Sequence, residues 1–146
     1  MKFIALFSAL FLIGCAPLHQ VHNYGTIDLN EKTVTVPRGA YGLEGDVKEV
    51  LSELGWKLSV YRGPSVIEGR VNKETKIEAY GTFNTRYSLY VRSIDLFGCF
   101  DNSSYVRYNI SFVDNKTGSE VFAMAGEGCE SMLGEKFKNA LLSVSK

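Results

Sequence analysis

Residues 86–97 read Arg-Tyr-Ser-Leu-Tyr-Val-Arg-Ser-Ile-Asp-Leu-Phe, and residues 105–112 read Tyr-Val-Arg-Tyr-Asn-Ile-Ser-Phe. In the first stretch Tyr87, Leu89 and Val91 alternate with Arg86, Ser88, Tyr90 and Arg92, and Ile94, Leu96 and Phe97 extend the run. In the second, Val106, Tyr108, Ile110 and Phe112 fall on one face and Arg107, Asn109 and Ser111 on the other. Successive side chains of a strand point to opposite faces, so a period of two predicts strands that are dry on one side and wet on the other. Phe97-Gly98 marks a bulge or the strand's end. Asp114-Asn115-Lys116-Thr117-Gly118 has the residues of a tight turn, and Glu120-Val121-Phe122-Ala123-Met124-Ala125 supplies a third strand. The expectation is an antiparallel meander with a polar outer face.

Upstream, Thr33-Val34-Thr35-Val36 is a short β-branched strand, broken by Pro37, Gly39 and Gly42. Leu43, Val47, Val50, Leu51 and Leu54 then recur with helical spacing. Asp46 with Glu49 three residues on resembles a capping box, and Gly55 stands where a left-handed helix end is wanted. Trp56, Leu58 and Val60 alternate with Lys57, Ser59 and Tyr61, giving a β-α-β opening. Val66-Ile67 and Ile77-Glu78-Ala79-Tyr80 flank the polar run 72–76 and read as a hairpin. Downstream, Leu133, Phe137, Ala140, Leu141 and Val144 form the apolar stripe of a closing helix, which the sheet needs as a cover. The expected fold is α+β: a mostly antiparallel sheet of five or six strands, covered on one face by two helices.

The N-terminus gives an address. Met1-Lys2 precedes an apolar run, Phe3 to Ile13, too short for a comfortable membrane span of roughly 20 residues. The run ends in Leu12-Ile13-Gly14-Cys15, which resembles the lipobox of bacterial prolipoproteins. The resemblance implies cleavage between Gly14 and Cys15, a diacylglycerol thioether on Cys15 and acylation of its new amine. Ala16, where Asp tends to retain enteric lipoproteins in the inner membrane, implies an outer-membrane anchor facing the periplasm. The chain then divides into a signal peptide over 1–14, a flexible tether over 15–31 and one globular domain over 32–146. The Asp114–Gly118 turn, Gly128-Cys129 and the closing helix are also similar to small proteobacterial lipoproteins, a resemblance that brings no chemistry with it.

With Cys15 assigned to lipid, Cys99 and Cys129 remain. An oxidising periplasm and the Asp114–Gly118 turn, which returns the chain to the same end of the sheet, predict a disulfide between them. The three Asn-X-Ser/Thr sequons at Asn102, Asn109 and Asn115 are read as chance in such a compartment.

Composition excludes more than it names. Sixteen basic residues balance sixteen acidic ones, so there is no electrostatic footprint for nucleic acid. The two histidines, His19 and His22, sit in the expected tether, away from any nucleophile, which argues against Ser-His-Asp and Cys-His catalysis. Zinc spacing, calcium loops and phosphate loops are not found, so no catalytic residue, metal or cofactor is assigned. Tyr61, Tyr80, Tyr90 and Tyr105, interleaved with Arg86, Arg92 and Arg107, are expected on the wet face. Tyr and Arg recur in recognition hot spots. Tyr90, Arg92, Tyr105 and Arg107 are the candidate interaction surface. The functional expectation is a non-enzymatic outer-membrane lipoprotein, an accessory or assembly factor bound to the membrane by its lipid and to an envelope protein partner. The alternatives are a small-ligand or glycan-binding module with a cleft between sheet and helices, and a cell-wall hydrolase using Glu127 or Glu130 with Glu135 close behind. An exclusion or immunity lipoprotein of a mobile element belongs with the first reading.

Overall fold

The computed structural model describes residues 19–61, 66–70, 76–80 and 84–145, with the side chains of 66–70 and 76–80 left aside. The leader, Cys15 and residues 72–75 of the turn expected at 72–76 lie outside the described residues, and Lys76 opens a strand. In chain order the elements are β1 (His19–Asn23), β2 (Thr33–Val36), α1 (Gly42–Glu53), β3 (Lys57–Val60), β4 (Val66–Arg70), β5 (Lys76–Tyr80), β6 (Tyr87–Gly98), β7 (Ser104–Asp114) and β8 (Ser119–Cys129). A 3₁₀ turn (Glu130–Met132) and α2 (Leu133–Ser143) complete the chain. No described helix is long and apolar enough to cross a membrane.

Six strands form one mixed sheet in the order β1-β8-β7-β6-β2-β3. The meander predicted from the alternation is its antiparallel centre, with Leu89 opposite Phe112 and Phe112 opposite Phe122. The register slips between Asp95 and Phe97, placing the expected bulge around Leu96. β2 runs parallel to both β3 and β6, so β2-α1-β3 is a crossover unit. β4 and β5 pair as the predicted hairpin, separate from the main sheet.

The expected tether is ordered well before residue 31. His19–Asn23 pairs with Phe122–Gly126 of β8, and Ile27 bridges Ser145. A polar sequence without periodicity gave no strand signal, but an exposed edge strand needs only backbone pairing, and β8 supplies it.

Both helices pack on one face. Leu43, Val47, Val50 and Leu51 of α1 and Leu133, Phe137, Ala140 and Leu141 of α2 join Val34, Tyr87, Tyr108, Ile110, Phe112 and Phe122 in a single core. Trp56 meets the rings of Tyr87 and Phe112 edge-on, at centroid distances of 5.7 and 5.5 Å. α1 ends as its sequence predicts. Gly55, at φ +78°, donates to Ser52 and Trp56 donates to Leu51, both at 3.0 Å, which ties off the last carbonyls.

Its start differs from expectation. Residue 41, not Asp46, precedes the helix, and no side chain of its own segment caps it. The Leu43 amide instead donates to Glu130 Oε1 at 3.0 Å, so the 3₁₀ turn before α2 satisfies the first turn of α1. Asp46 lies inside α1, where burial and then the charge of Glu49 push its carboxyl above the ordinary value.

Candidate interaction surface

Register puts the four candidate residues on one face and makes neighbours of Arg92 and Arg107. On the sheet face opposite the helices, Tyr90 stands against Ser111, Arg92 against Asn109, Ile94 against Arg107 and Phe97 against Tyr105. Arg92 and Arg107 are therefore diagonal cross-strand neighbours, close enough for long side chains to act jointly. Tyr90 is 53% exposed. Arg107 Nη2 pairs with Glu127 Oε1 of β8 at 2.7 Å, an exposed pair of small energetic weight that fixes where the guanidinium points. Tyr105 lies flat on Phe97, with centroids 4.4 Å apart and rings 8° from parallel.

Arg92, Ile94, Arg107, Asn109, Ala125 and Glu127 border an open groove of about 420 Å³ on this face. Tyr90 borders a second depression of about 280 Å³ with Tyr61, Thr35, Pro37 and Ser88. The expected cleft between sheet and helices is not where these depressions lie; that interface is the packed core.

Arg86 belongs elsewhere. Its guanidinium reaches Asp114 at 2.7 Å and Glu31 at 3.3 Å and sits 5.4 Å from the centre of the Tyr87 ring. It precedes β6, at the opposite end of the sheet from Tyr105, and period-two reading cannot see that a residue outside the strand leaves the alternating face. Tyr61 is exposed just after β3. Tyr80 falls in β5, whose side chains lie outside the description.

Each acidic candidate has a hydrogen-bond partner within the fold. Glu127 holds Arg107, Glu130 caps α1, and Glu135 accepts a long hydrogen bond from Asn139 at 3.5 Å. The two histidines are three apart on a strand, which points them to opposite faces. His19 Nδ1 hydrogen-bonds the Tyr108 hydroxyl, whereas His22 stacks on Tyr24. Burial, then the charge of Lys136, lowers the His19 pKa, and burial pushes Tyr108 up to about 12.

The expected disulfide joins Cys99 to Cys129, with Cα atoms 6.1 Å apart. Asp101 is the one further metal-ligand type beside those sulfurs among the described residues, but sulfurs bonded to each other offer no thiolate. Asp101 instead accepts from the Ser103 hydroxyl at 2.6 Å and the Ser131 hydroxyl at 2.5 Å, and these bonds hold its carboxyl at about 2.

Period-two reading missed the apolar surface beyond the groove. Phe100 is fully exposed in the β6–β7 turn, and Phe97 at the end of β6 and Met132 in the 3₁₀ turn after β8 are 63% and 59% exposed. The available signal was Phe100 itself, a large apolar residue between Cys99 and Asp101 where turns favour polar ones.

No family model matches the chain, and no curated protein matches it. Among solved structures it is similar to a point-substituted PelC dodecamer from Paraburkholderia phytofirmans, at 13% identity and a TM-score of 0.52, over 88% of this chain and 96% of that one. A second PelC dodecamer from the same organism matches at 13% identity and a TM-score of 0.48, over 88% and 95%. The likeness is one of fold.

Proposed function

We propose that this chain is a lipid-tethered protein of the bacterial outer membrane, facing the periplasm and working by binding rather than catalysis. It would serve as an accessory or assembly factor of an envelope complex. The carrying observation is the outer sheet face, where Arg92 and Arg107 border an open groove and Tyr90 and Tyr105 lie along the same face on either side of them. Paired Arg and Tyr give bidentate donors and flat apolar area on a rigid support, the combination that dominates recognition energetics. A second observation favours other copies of this chain as the first partner to test: the similarly folded PelC is a dodecamer.

The test is co-purification from envelopes with and without Arg92→Glu and Arg107→Glu. The expected result is a partner retained by the wild type and lost with the double charge reversal, together with a fall in native mass if that partner is another copy. An unchanged partner set and an unchanged mass would remove this surface from consideration. Catalysis is tested separately: peptidoglycan turnover that fell in Glu127→Gln or Glu130→Gln would overturn the binding reading.

A further inference from the structure

We propose that the end of the β6–β7 hairpin is a lipid-docking tip that sets the domain against the membrane to which Cys15 tethers it. This inference rests on the lipoprotein reading and extends it from an anchor to an orientation.

Ile94, Leu96, Phe97, Phe100 and Met132 are all exposed at this end, and Phe100 is fully so. Large apolar side chains left exposed at one end of a domain mark an interaction site. β1 selects lipid as the occupant. It enters the sheet from the same end: His19 pairs with Gly126, and Cys129 is three residues farther along β8 toward the tip. Three strand residues cover ~10 Å. Three residues separate Cys15 from His19, four backbone steps in all, so the Cys15 Cα stays within ~14 Å of the sheet's entry point. The anchor's reach thus matches the height of the Tyr105–Phe97 row. A domain held this closely brings its hairpin turn to the bilayer surface.

The chemistry fits the interface rather than the hydrocarbon. Phe97, Phe100 and the half-buried Tyr105 are ring side chains of the kind that settle at headgroup depth. Asp101 is locked as an anion beside them, and Arg107 is matched by Glu127. With no excess of positive charge at the tip, docking is expected to be shallow and indifferent to anionic lipid.

The full chain carrying Phe100→Trp, reconstituted in vesicles of ring-quenching brominated phosphatidylcholine, tests this. Trp56 is the only native indole and is buried in the core, so the wild type supplies the background. Mass spectrometry of the same sample reports acylation, and circular dichroism reports folding. The expected result is an acylated protein whose introduced indole is quenched, at both low and high salt. Added Phe97→Ser should reduce the docked population about tenfold. Acylated, folded protein with an unquenched indole would overturn the tip while leaving the tether in place. An unquenched but blue-shifted indole would overturn it in favour of a second protein copy. An unacylated chain would overturn the tether reading; if its indole were still quenched, the tip would stand without it.

Discussion

The two ends of the central sheet are held by different physics. At the end where β2 joins β6, Thr35 and Thr85 hydroxyls meet at 2.6 Å, and Asn115 bridges from the Thr85 carbonyl at 2.9 Å to the Ser88 hydroxyl at 2.9 Å. Arg86 clamps Asp114 there, and Glu31 gathers Arg86 and Lys116 at 3.3 and 2.7 Å. At the other end one disulfide and the Asp101 serine bonds close the hairpin over exposed rings. Directional bonds specify the end where parallel and antiparallel pairing must coexist. A covalent link holds the other end without having to bury it, which leaves its apolar rings exposed.

The largest expected effect comes from unlinking the tip. A disulfide with a sequence separation of 30 restricts the unfolded chain, by about 3–4 kcal/mol on the chain-entropy model. Cys99→Ser with Cys129→Ser should lower stability by that amount in urea unfolding. Hydrogen exchange should rise most at 94–105 and least at 85–89 and 112–116. An even rise would show that the two ends are not separately held.

The polar end responds next. Arg86→Met leaves the Asp114 carboxylate, 11% exposed, without its main counter-charge, for an expected loss of about 2–3 kcal/mol near neutral pH. Burial alone would raise the Asp114 pKa. Hydrogen bonds from Arg86 and the backbone of Lys116 and Thr117 outweigh it, so the folded value lies below 3.8. The stabilisation is therefore complete above the unfolded value and disappears as the pH falls through the lower folded one. Wild type and variant should converge in stability as the pH is lowered through this range, and a gap of constant size would contradict the pairing.

Sequence reading succeeded where one face of an element is buried and failed where its signal lies outside the element. The meander, both helical stripes, the Gly55 helix end and the Cys99–Cys129 pairing all follow from period, turn chemistry and the return of the chain to the Cys99 end of the sheet. β1 was illegible because Gln20, Val21, His22 and Asn23 are all exposed, so no alternation records it. Arg86 was placed on the wet face because its pairing with Asp114 depends on a turn 28 residues away. The Glu130 cap spans 87 residues and has no local trace at all. Tyr90, Arg92, Tyr105 and Arg107 were legible as one face because strand register, once antiparallel, leaves them no other arrangement. The tip was not, because exposure at a turn depends on what fails to cover it.

That long-range cap offers a third, smaller test, since it ties the tip's neighbourhood back to the helices. Glu130→Ala should cost about 1 kcal/mol, as lost N-terminal caps do. Glu130→Gln, which keeps an acceptor oxygen, should cost less. The Leu43 amide should exchange faster in the first variant than in the second. Equal effects would mean that charge at the helix start, not the hydrogen bond, is what Glu130 supplies.

The smallest expected effect bears most directly on whether the tip is built for folding or for contact. Phe97 and Tyr105 are stacked, yet Phe97 is 63% exposed, so water remains on one ring face. Aromatic pairs are worth about 0.5–1.5 kcal/mol beyond their buried area, and an exposed pair belongs at the low end. A double-mutant cycle of Phe97→Ala and Tyr105→Ala should give a coupling near 0.5 kcal/mol, and Phe100→Ser should change stability by less than that. Such small values mean the fold gains little from ordering three rings at its end. A coupling above about 1.5 kcal/mol would instead make the rings a structural brace, and the hydrophobic tip would then need no partner to account for it.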